Sequence, residues 1–169
     1  MNSHSKYIMI LNSFPFISTI DAKVLILGTM PGSQSLMLNQ YYGHNRNAFW
    51  KLIFTIFDEP FSSVYETRKN LLLKNKVAVW DVLSACIRIG SLDSTIEQEV
   101  PNHFNTFLAA HPNIEHIFFN GQKAAQYFKK YVTVSEKYKL YTLPSTSPAN
   151  AVMSFEQKLE VWQMIRQCM

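Results

Sequence analysis

Short apolar runs alternate along the chain with segments in which apolar residues recur at helical spacing. The runs at residues 24–27 and 77–80 are typical of buried strands, and residues 114–119 and Lys139–Leu143 have similar character. Amphipathic segments lie between these runs and after the last of them. This order predicts an α/β fold, a three-layer α/β/α sandwich with a central, mainly four-stranded parallel sheet.

Local signals predict where several helices begin. Ser63 with Glu66, and Ser154 with Gln157, have the spacing of a capping box, in which two side chains satisfy backbone N–H groups at a helix start. Pro101 suits the first turn of another helix, because the N–H that proline lacks is unpaired at that position.

Length and charge limit the class of protein. With 169 residues and 47% hydrophobic content, the chain is long enough for one substantial core. We therefore expect a single domain over residues 1–169, on which residues 1–21 pack as an N-terminal extension. Lys and Arg outnumber Asp and Glu by 16 to 12, which favours a polyanionic partner if the positive charge gathers on one face.

The number of cysteines and the length of the apolar runs indicate the cellular compartment of the protein. Cys86 and Cys168 are too few for a disulfide framework and fit no metal-ligand spacing. Asn12 and Pro15 interrupt the apolar residues near the N-terminus, and no run approaches the ~20 residues of a membrane-spanning helix. We expect a cytoplasmic monomer without a metal site, a membrane partner or an obligate protein partner.

Polar residues concentrate in the segments that follow the strands. Because the carboxyl ends of parallel strands share one edge of the sheet, residues 28–47, 81–91 and 144–150 should converge there. Asn120 and Gly121, after the third strand, are expected to add backbone donors at a helix start. The sequence therefore predicts a ligand crevice at this edge.

The first of these segments opens with a Thr-Met-Pro-Gly-Ser turn, Thr29 to Ser33. The turn lacks the ending of a phosphate loop and the spaced glycines of a dinucleotide-binding turn, so a nucleotide cofactor is not expected. Tyr41 and Tyr42 follow, in a loop where hydrophobic periodicity does not require large rings. They act either as stacking partners for bases, worth ~1–3 kcal/mol per base, or as a lid over the core.

His44, Asn45 and Asn47 lie between the tyrosines and the next helix. Each has an ordinary structural alternative, which for the histidine is a hydrogen-bonding role and for the asparagines is a helix cap. Taken alone, each residue favours that structural role.

Asp81 ends an apolar strand at the expected crevice, where a carboxylate is costly unless it has a partner or a task. Arg88 is the candidate partner. A paired structural aspartate is the commoner case, and direct chemistry is the alternative.

The segment from Pro144 to Asn150, Pro-Ser-Thr-Ser-Pro-Ala-Asn, is a hydroxyl-rich turn. It is either a polar surface loop or an array of phosphate donors. Its two prolines stiffen it, and because a rigid donor array loses less entropy on binding, we favour the binding role.

Several motifs occur together within residues 23–165. They are Gly-Thr-Met-Pro-Gly-Ser-x-Ser-Leu, Gln-Tyr-Tyr-Gly-His-x-x-Asn-x-Phe-Trp, Trp-Asp-Val-Leu, Gly-Ser-Leu-Asp and Leu-Pro-Ser-Thr-Ser-Pro-Ala-Asn. As a set they resemble the uracil-DNA glycosylase superfamily, most closely its hypoxanthine-DNA (deoxyinosine) glycosylase branch. The resemblance implies a DNA-repair enzyme that flips deoxyinosine out of DNA and hydrolyses its N-glycosidic bond, leaving an abasic site.

Two positions depart from the wider superfamily. Its uracil and mismatch branches carry Asp or Asn two residues after the first glycine, to position the attacking water, whereas this chain has Met30. Their second motif begins with His or Asn, and the counterpart here is Ser145. Because a thioether orients water poorly, the resemblance implies weak uracil excision and a catalytic group elsewhere.

The resemblance also implies roles for individual residues. Asn47 is the first choice for catalysis, its carbonyl orienting water and its NH₂ donating elsewhere, and His44 donates to the leaving purine or contacts a phosphate. Tyr42 stacks on the base with support from Tyr41. The base-binding set is completed by Thr29, Met30, Pro31, Gly32 and Asp81. Contacts to phosphates and the duplex fall to Ser33, Ser35, Lys123, Ser145, Ser147 and Asn150. None of this chemistry needs a metal or an organic cofactor.

Two other functions compete with deoxyinosine excision. A uracil or mismatch glycosylase of the same superfamily would use Asn47 or Asp81 in place of the missing residue at Met30. A non-catalytic module would bind flipped bases or DNA without releasing a base, and Met30 favours it. The expected partner of the preferred enzyme is damaged DNA containing deoxyinosine, bound at the nucleoid.

Overall fold

The computed structural model describes residues 8–169. In this part of the chain the strands are β1 (Leu11–Asn12), β2 (Val24–Gly28), β3 (Val77–Asp81), β4 (Leu83–Ile87), β5 (Glu97–Pro101), β6 (His116–Asn120) and β7 (Lys139–Leu143). The helices are α1 (Ser33–Leu38), α2 (Phe49–Ile56), α3 (Tyr65–Lys74), α4 (Phe104–Ala110), α5 (Gln122–Tyr131), α6 (Phe155–Trp162) and α7 (Met164–Gln167), with a 3-10 turn at Asp93–Thr95.

The central sheet has four strands in the order β3-β2-β6-β7. All its neighbouring pairs are parallel. Helices lie around it, which confirms the predicted α/β fold with a four-stranded parallel sheet. The four predicted strands agree with the observed ones to within two residues at each end.

Both faces of the sheet are buried, and the alternation of side chains along β2 shows how. Leu25 and Leu27 pack into one cluster with apolar residues of α4 and α5. Val24 and Ile26 point into a second cluster with α2, α3, α6 and α7. Such two-sided burial explains why this strand is continuously apolar in sequence.

Parallel pairing brings the carboxyl ends of the central strands to one edge. Gly28 of β2 lies directly opposite Asp81 of β3, and Asn120 of β6 lies opposite Leu143 of β7. The chain segments that follow these residues therefore leave the sheet side by side.

A second sheet, absent from the sequence-based prediction, has the antiparallel order β1-β4-β5. Residues 83–87, expected within a loop, form β4, and its pairing with β5 shows shifts of register that obscure strand periodicity. The prediction that Pro101 opens a helix is wrong. It ends the edge strand β5, a position that tolerates proline, and α4 begins at Phe104.

Of the two predicted capping boxes, one forms. Ser154 accepts the Gln157 N–H while the Gln157 side chain accepts the Ser154 N–H, which confirms the start of α6. The box at Ser63 is wrong, because α3 begins at Tyr65 without a side-chain cap.

Residues 8–21 of the expected N-terminal extension lie against the sheets. β1 pairs with β4, and Ile17 exchanges backbone hydrogen bonds with Val79 at the free edge of β3. The part of the extension formed by residues 1–7 lies outside the described residues. Within residues 8–169, no helix combines the length and apolar character needed to cross a membrane.

Candidate active site

A cavity of about 370 Å³ opens at the carboxyl edge of the central sheet. The predicted convergence of residues 28–47, 81–91 and 144–150 is confirmed, because all three segments line it. Its floor consists of buried polar residues, Thr29, Asp81, Asn120 and Thr146. Its rim carries exposed residues, among them Ser33, Gln34, Ser91, Leu92 and Ala149. The volume is within the range of small-molecule sites in proteins, roughly 300–1,000 Å³.

Tyr41 anchors the loop that forms one wall. Its hydroxyl donates to the backbone carbonyls of Phe14 and Pro15, and its own carbonyl accepts from the indole N–H of Trp50 at 2.9 Å. Its N–H donates to the Tyr65 hydroxyl at 3.0 Å. Tyr41 is thus a buried structural residue, consistent with its expected supporting role.

The backbone of Tyr42 has a φ of +52°, in the left-handed region, and the centroid of its ring lies 6.3 Å from that of Tyr41. One face of its ring stacks on Phe49 with centroids 3.9 Å apart, and the residue lines the cavity. Its hydroxyl is buried without a hydrogen-bond partner among the described residues. Burial, and then the negative charge of Asp81, raise its pKa, so this hydroxyl stays neutral.

His44 and Asn47 line the cavity next to this wall. The Nδ1 of His44 accepts the Arg46 N–H at 3.1 Å, so in the neutral ring the proton is on Nε2 and the imidazole offers a donor. The Oδ1 of Asn47 accepts the Phe49 N–H at 3.0 Å, close to the start of α2. Its NH₂ group is therefore the part of the amide left for a ligand, together with the second lone pair of the carbonyl.

Asp81 lies at the floor and is only 3% exposed. Its Oδ2 is buried without a hydrogen-bond partner in the described part of the chain. Desolvation raises the pKa of this carboxyl to about 7, and Asp93 adds to the rise while Arg88 opposes it. A Cβ on Gly28 would lie 2.6 Å from Asp81 Oδ1 and 2.9 Å from the Tyr42 hydroxyl. Glycine is therefore required here, and both oxygens converge above its backbone.

The partner expected for Asp81 is engaged elsewhere. Arg88 donates to the carbonyls of Pro31 at 2.6 Å and Gly90 at 2.8 Å, and its Nη1 lies 3.6 Å from Asp93 Oδ1. The prediction that Arg88 pairs with Asp81 is thus wrong. Arg88 ties the Pro31 turn to the Gly-Ser-Leu-Asp loop, and Asp81 forms no salt bridge within residues 8–169.

The Thr-Met-Pro-Gly-Ser turn is fixed from the same loop. The Ser33 N–H donates to the Ser91 hydroxyl at 2.8 Å, and Ser91 donates to the Ser33 hydroxyl at 3.0 Å. With the Ser33 N–H engaged and no N–H on Pro31, the amides of Met30 and Gly32 are among the donors that this turn can offer a ligand. Ser35 is buried, and its hydroxyl accepts the Gly43 N–H at 2.9 Å, which supports the Tyr loop.

The hydroxyl-rich turn after β7 is held by its own side chains. Ser145 Oγ accepts the Ser147 N–H at 3.2 Å, and Ser147 Oγ accepts the Ala149 N–H at 3.2 Å. The Asn150 side chain donates to the Ser145 carbonyl at 3.1 Å. Each serine hydroxyl keeps its own hydrogen for an external acceptor, which suits phosphate.

Asn120 contributes to the floor differently from the prediction. Its side chain forms two hydrogen bonds with Thr146, each of 2.9 Å, and so joins β6 to the turn after β7. The expected backbone donor of Gly121 is already used, because its N–H donates to the Leu143 carbonyl at 3.0 Å.

Comparisons with known proteins place this geometry in a family. The family model described as the uracil DNA glycosylase superfamily matches residues 14–166. The chain belongs to this superfamily. It is 34% identical to a hypoxanthine DNA glycosylase of Methanosarcina acetivorans, over 93% of this chain and 98% of that protein. It is 38% identical to a hypoxanthine DNA glycosylase of Methanosarcina barkeri, over 68% of this chain and 73% of that protein.

A solved structure has the same architecture. It is a solution NMR structure of a candidate uracil DNA glycosylase from Methanosarcina acetivorans, with a TM-score of 0.80 and 33% identity. The match covers 95% of this chain and 99% of that one. The expected resemblance to the hypoxanthine glycosylase branch of the superfamily is thereby confirmed.

Most residues predicted for a glycosylase site of this superfamily meet at the cavity. They are Thr29, Met30, Pro31, Gly32, Ser33, Ser35, Tyr42, His44, Asn47, Asp81, Ser145 and Ser147. Lys123 and Asn150 lie outside the lining. Met30 is also part of the apolar core cluster, in keeping with its thioether having no role in orienting water.

Sequence reasoning gave no role to Ser91, Asp93 or Thr146, although all three line the cavity. Ser91 and Asp93 follow β4, the strand that the hydrophobic pattern did not reveal. The Gly-Ser-Leu-Asp motif was the available signal for them.

Proposed function

We propose that this protein is a DNA glycosylase that flips deoxyinosine out of DNA and hydrolyses its N-glycosidic bond, releasing hypoxanthine and leaving an abasic site. The observation that carries the proposal is the cavity, a small cleft with a buried polar floor and a rim of hydroxyl groups. Such a shape suits one flipped base below and its flanking phosphates above. The hypoxanthine DNA glycosylases among its relatives support the choice of base.

In this reaction water forms a bond to C1′ of the sugar while the bond from C1′ to N9 breaks and N9 takes the electron pair. One proton of the water ends on the departing base, so the products are the abasic sugar and neutral hypoxanthine. Donors at the departing base lower the barrier because they stabilise the charge it acquires. We assign the NH₂ of Asn47 and the Nε2–H of His44 to this task. Both residues line the cavity, and neither group donates a hydrogen bond to another of the described residues. The second lone pair of the Asn47 carbonyl is left for water.

We assign the residues at the rim to contacts with the phosphates of the DNA backbone. Ser33, Ser145 and Ser147 lie at the mouth of the cavity and retain hydroxyl hydrogens that can be donated to phosphate oxygens. Ser35 acts indirectly, because its buried hydroxyl supports Gly43. One face of the Tyr42 ring is covered by Phe49 and its hydroxyl lies at the floor, so we assign Tyr42 a contact with the base through its hydroxyl edge in place of the stacking that the resemblance implies.

Single-turnover cleavage tests the proposal. Enzyme in excess is mixed with otherwise identical duplexes carrying one deoxyinosine, one deoxyuridine or no lesion, and alkali then cuts abasic sites. We expect cleavage of the deoxyinosine strand and little of the deoxyuridine strand. Asn47→Ala protein, purified in the same way, controls for contaminating glycosylases.

The competing functions correspond to other outcomes of this experiment. Cleavage mainly at deoxyuridine would replace the proposal with a uracil glycosylase. Tight binding to the deoxyinosine duplex without base release by folded protein would replace it with a non-catalytic module.

A further inference from the structure

The closed end of the cavity contains two polar groups that the fold leaves unsatisfied. Asp81 Oδ2 and the Tyr42 hydroxyl are buried, and neither has a hydrogen-bond partner among the described residues. Buried polar groups without partners are rare, because each costs free energy that a hydrogen bond would recover. The other oxygen of the same carboxyl, Asp81 Oδ1, and the Tyr42 hydroxyl both lie close above the backbone of Gly28, so the carboxyl and the hydroxyl are neighbours.

The neighbouring floor residues are largely bonded to one another. Asn120 and Thr146 share two hydrogen bonds, and the second NH₂ hydrogen of Asn120 faces the oxygen of the Tyr42 hydroxyl, whose own hydrogen stays available for a ligand. Arg88 is held by Pro31 and Gly90 and lies beside Asp93, and its buried Nη1, which has no hydrogen-bond partner among the described residues, lies outside the cavity lining. The carboxyl of Asp81 and the hydroxyl of Tyr42 thus offer an acceptor beside a donor at the floor of the cavity.

The orientation of a flipped purine follows from this shape. The sugar and phosphates must remain at the rim, where the exposed hydroxyl groups lie. N9 is joined to the sugar, so the six-membered ring, with its N1 and C6 substituents, is the part of the base that reaches the floor. In hypoxanthine that edge carries a donor at N1 and an acceptor at O6, whereas adenine has an acceptor at N1 and a donor at N6.

We propose that Asp81 is the specificity-determining residue of this site, its carboxylate accepting the N1–H of hypoxanthine while the Tyr42 hydroxyl donates to O6. The inference rests on the proposed function and adds to it the means of telling deaminated from normal adenine. Adenine is rejected because its N1 lone pair meets a carboxylate oxygen. Guanine shares N1–H and O6, so Asp81 does not exclude it, and its exclusion lies with the 2-amino group and the cost of opening a G·C pair.

The charge state of Asp81 bears on this selection. Its pKa, raised by burial to about 7, means that the carboxyl is increasingly protonated below neutral pH. A protonated carboxyl can donate to adenine N1, so discrimination against adenine weakens as the pH falls. The charged and titratable groups that face it are Arg88, Asp93, Tyr41, Tyr42 and His44.

The test compares release of adenine with release of hypoxanthine. Single-turnover rates are measured on duplexes with A·C and I·C pairs, so that the opposing base is the same. The wild type should favour hypoxanthine by at least about 100-fold, as sites built around a buried hydrogen bond do. Asp81→Asn, whose amide can turn its NH₂ toward adenine N1, should raise the adenine-to-hypoxanthine ratio by tenfold or more and abolish its pH dependence.

Asp93→Asn is the matched control, because Asp93 is the other carboxylate that lines the cavity. Because Asp93 helps to raise the pKa of Asp81, the control is compared well above pH 7, where the Asp81 carboxyl is ionised in both proteins, and there it should leave the ratio unchanged whatever it does to the rate. A second probe is deoxy-1-methylinosine, which lacks the N1–H. The wild type should excise it at least about 100-fold more slowly than deoxyinosine, and Asp81→Ala should bring the two rates within about tenfold.

The outcomes separate this inference from the proposed function. If the wild type excises hypoxanthine and Asp81→Asn keeps the wild-type ratio and pH profile, the assignment of Asp81 is overturned and the glycosylase remains. If the wild type releases no hypoxanthine, the proposed function fails and this inference with it. Circular dichroism establishes that each variant is folded. Tyr42→Phe, which removes only the hydroxyl, should slow deoxyinosine excision without raising the rate of adenine release.

Discussion

The two polar groups of the Asn47 side chain have different partners, one in the protein backbone and one in the cavity. Its carbonyl accepts the N–H of Phe49 near the start of α2, which fixes the rotamer, and its NH₂ remains for the ligand. A catalytic group held by a second hydrogen bond keeps its geometry without ordering at the moment of reaction. The structural and functional interpretations of Asn47 are therefore compatible.

Replacing Asn47 separates its two tasks. Asn47→Asp keeps an oxygen for the Phe49 N–H but has no NH₂, whereas Asn47→Ala loses both. We expect each to lower the single-turnover rate about 10²–10³-fold, and only Asn47→Ala to lose about 1 kcal/mol of stability. Asn45→Ala, an exposed neighbour outside the cavity lining, serves as the control. Wild-type rates in both Asn47 variants would remove this residue from the catalytic step.

The sequence predicted which residues line the site better than it predicted the hydrogen bonds and ion pairs that those residues form. Asp81 was found from its position at the end of an apolar strand and Tyr42 from its place in a polar loop, whereas Asn47 favoured a helix cap on its own and was assigned to catalysis only from the resemblance to the superfamily. The partners of Arg88 were not predicted. Its long side chain reaches Pro31, Gly90 and Asp93, and the sequence does not show which of the contacts open to such a side chain will form. The left-handed backbone of Tyr42 also has no local signal in the sequence.

Helix starts show both the value and the limit of local patterns. The boxes at Ser154 and Ser63 have similar sequences, yet only the first forms. At the second, Ser62 accepts the Val64 N–H and Arg68 donates to the Ser62 carbonyl. Competing local hydrogen bonds thus move the helix start to Tyr65.

Alanine substitution at the two serines makes this difference measurable. Ser154→Ala should lower the free energy of unfolding by about 1 kcal/mol, since it removes a formed cap. Ser63→Ala, at an exposed serine outside α3, should stay within about 0.5 kcal/mol of the wild type. Urea unfolding of both variants provides the comparison, and equal losses would contradict the assignment of the caps.

Among the elements, the buried parallel strands were predictable because both their faces are apolar. β4 and β5 were not, because they belong to an edge sheet with irregular register and mostly half-exposed or exposed residues. Their consequence for the site is direct, since the loop between them carries Ser91 and Asp93.

The molecule as a whole tolerates a buried carboxyl at the cost of stability. The pKa of Asp81 is raised to about 7 from an ordinary 3.8, so between these pH values the folded state holds a proton that the unfolded state has lost. Stability attributable to this group therefore falls as the pH rises from about 4 to 7. Natural sites often carry such a cost for function.

Asp81→Asn should consequently stabilise the protein at high pH. We expect a gain of about 1–3 kcal/mol at pH 8, where the buried charge is present, and little change at pH 4.5, where most of it is neutral. Thermal unfolding at the two pH values measures the difference. The same gain at both would mean that the charge of Asp81 carries no such cost.

The net charge of +4 should act on DNA through particular lysines. Lys123 lies at the first turn of α5, which starts at the carboxyl edge of the sheet, so Lys123→Ala should reduce the slope of log affinity against log salt by about 1. Lys137 precedes β7 at the opposite edge, and Lys137→Ala should leave the slope unchanged. Fluorescence anisotropy across a salt series makes the comparison, and equal slopes for all three proteins would exclude Lys123 from the interface.

The most direct test of the account is the identity of the product. A duplex with one deoxyinosine is incubated with excess enzyme, and the small-molecule fraction is analysed by mass spectrometry while the strand is examined before and after alkali. The account predicts one free hypoxanthine per duplex and a strand that stays intact until alkali is added. Release of a nucleoside or nucleotide, a strand cut without alkali, or no release by folded protein would contradict it.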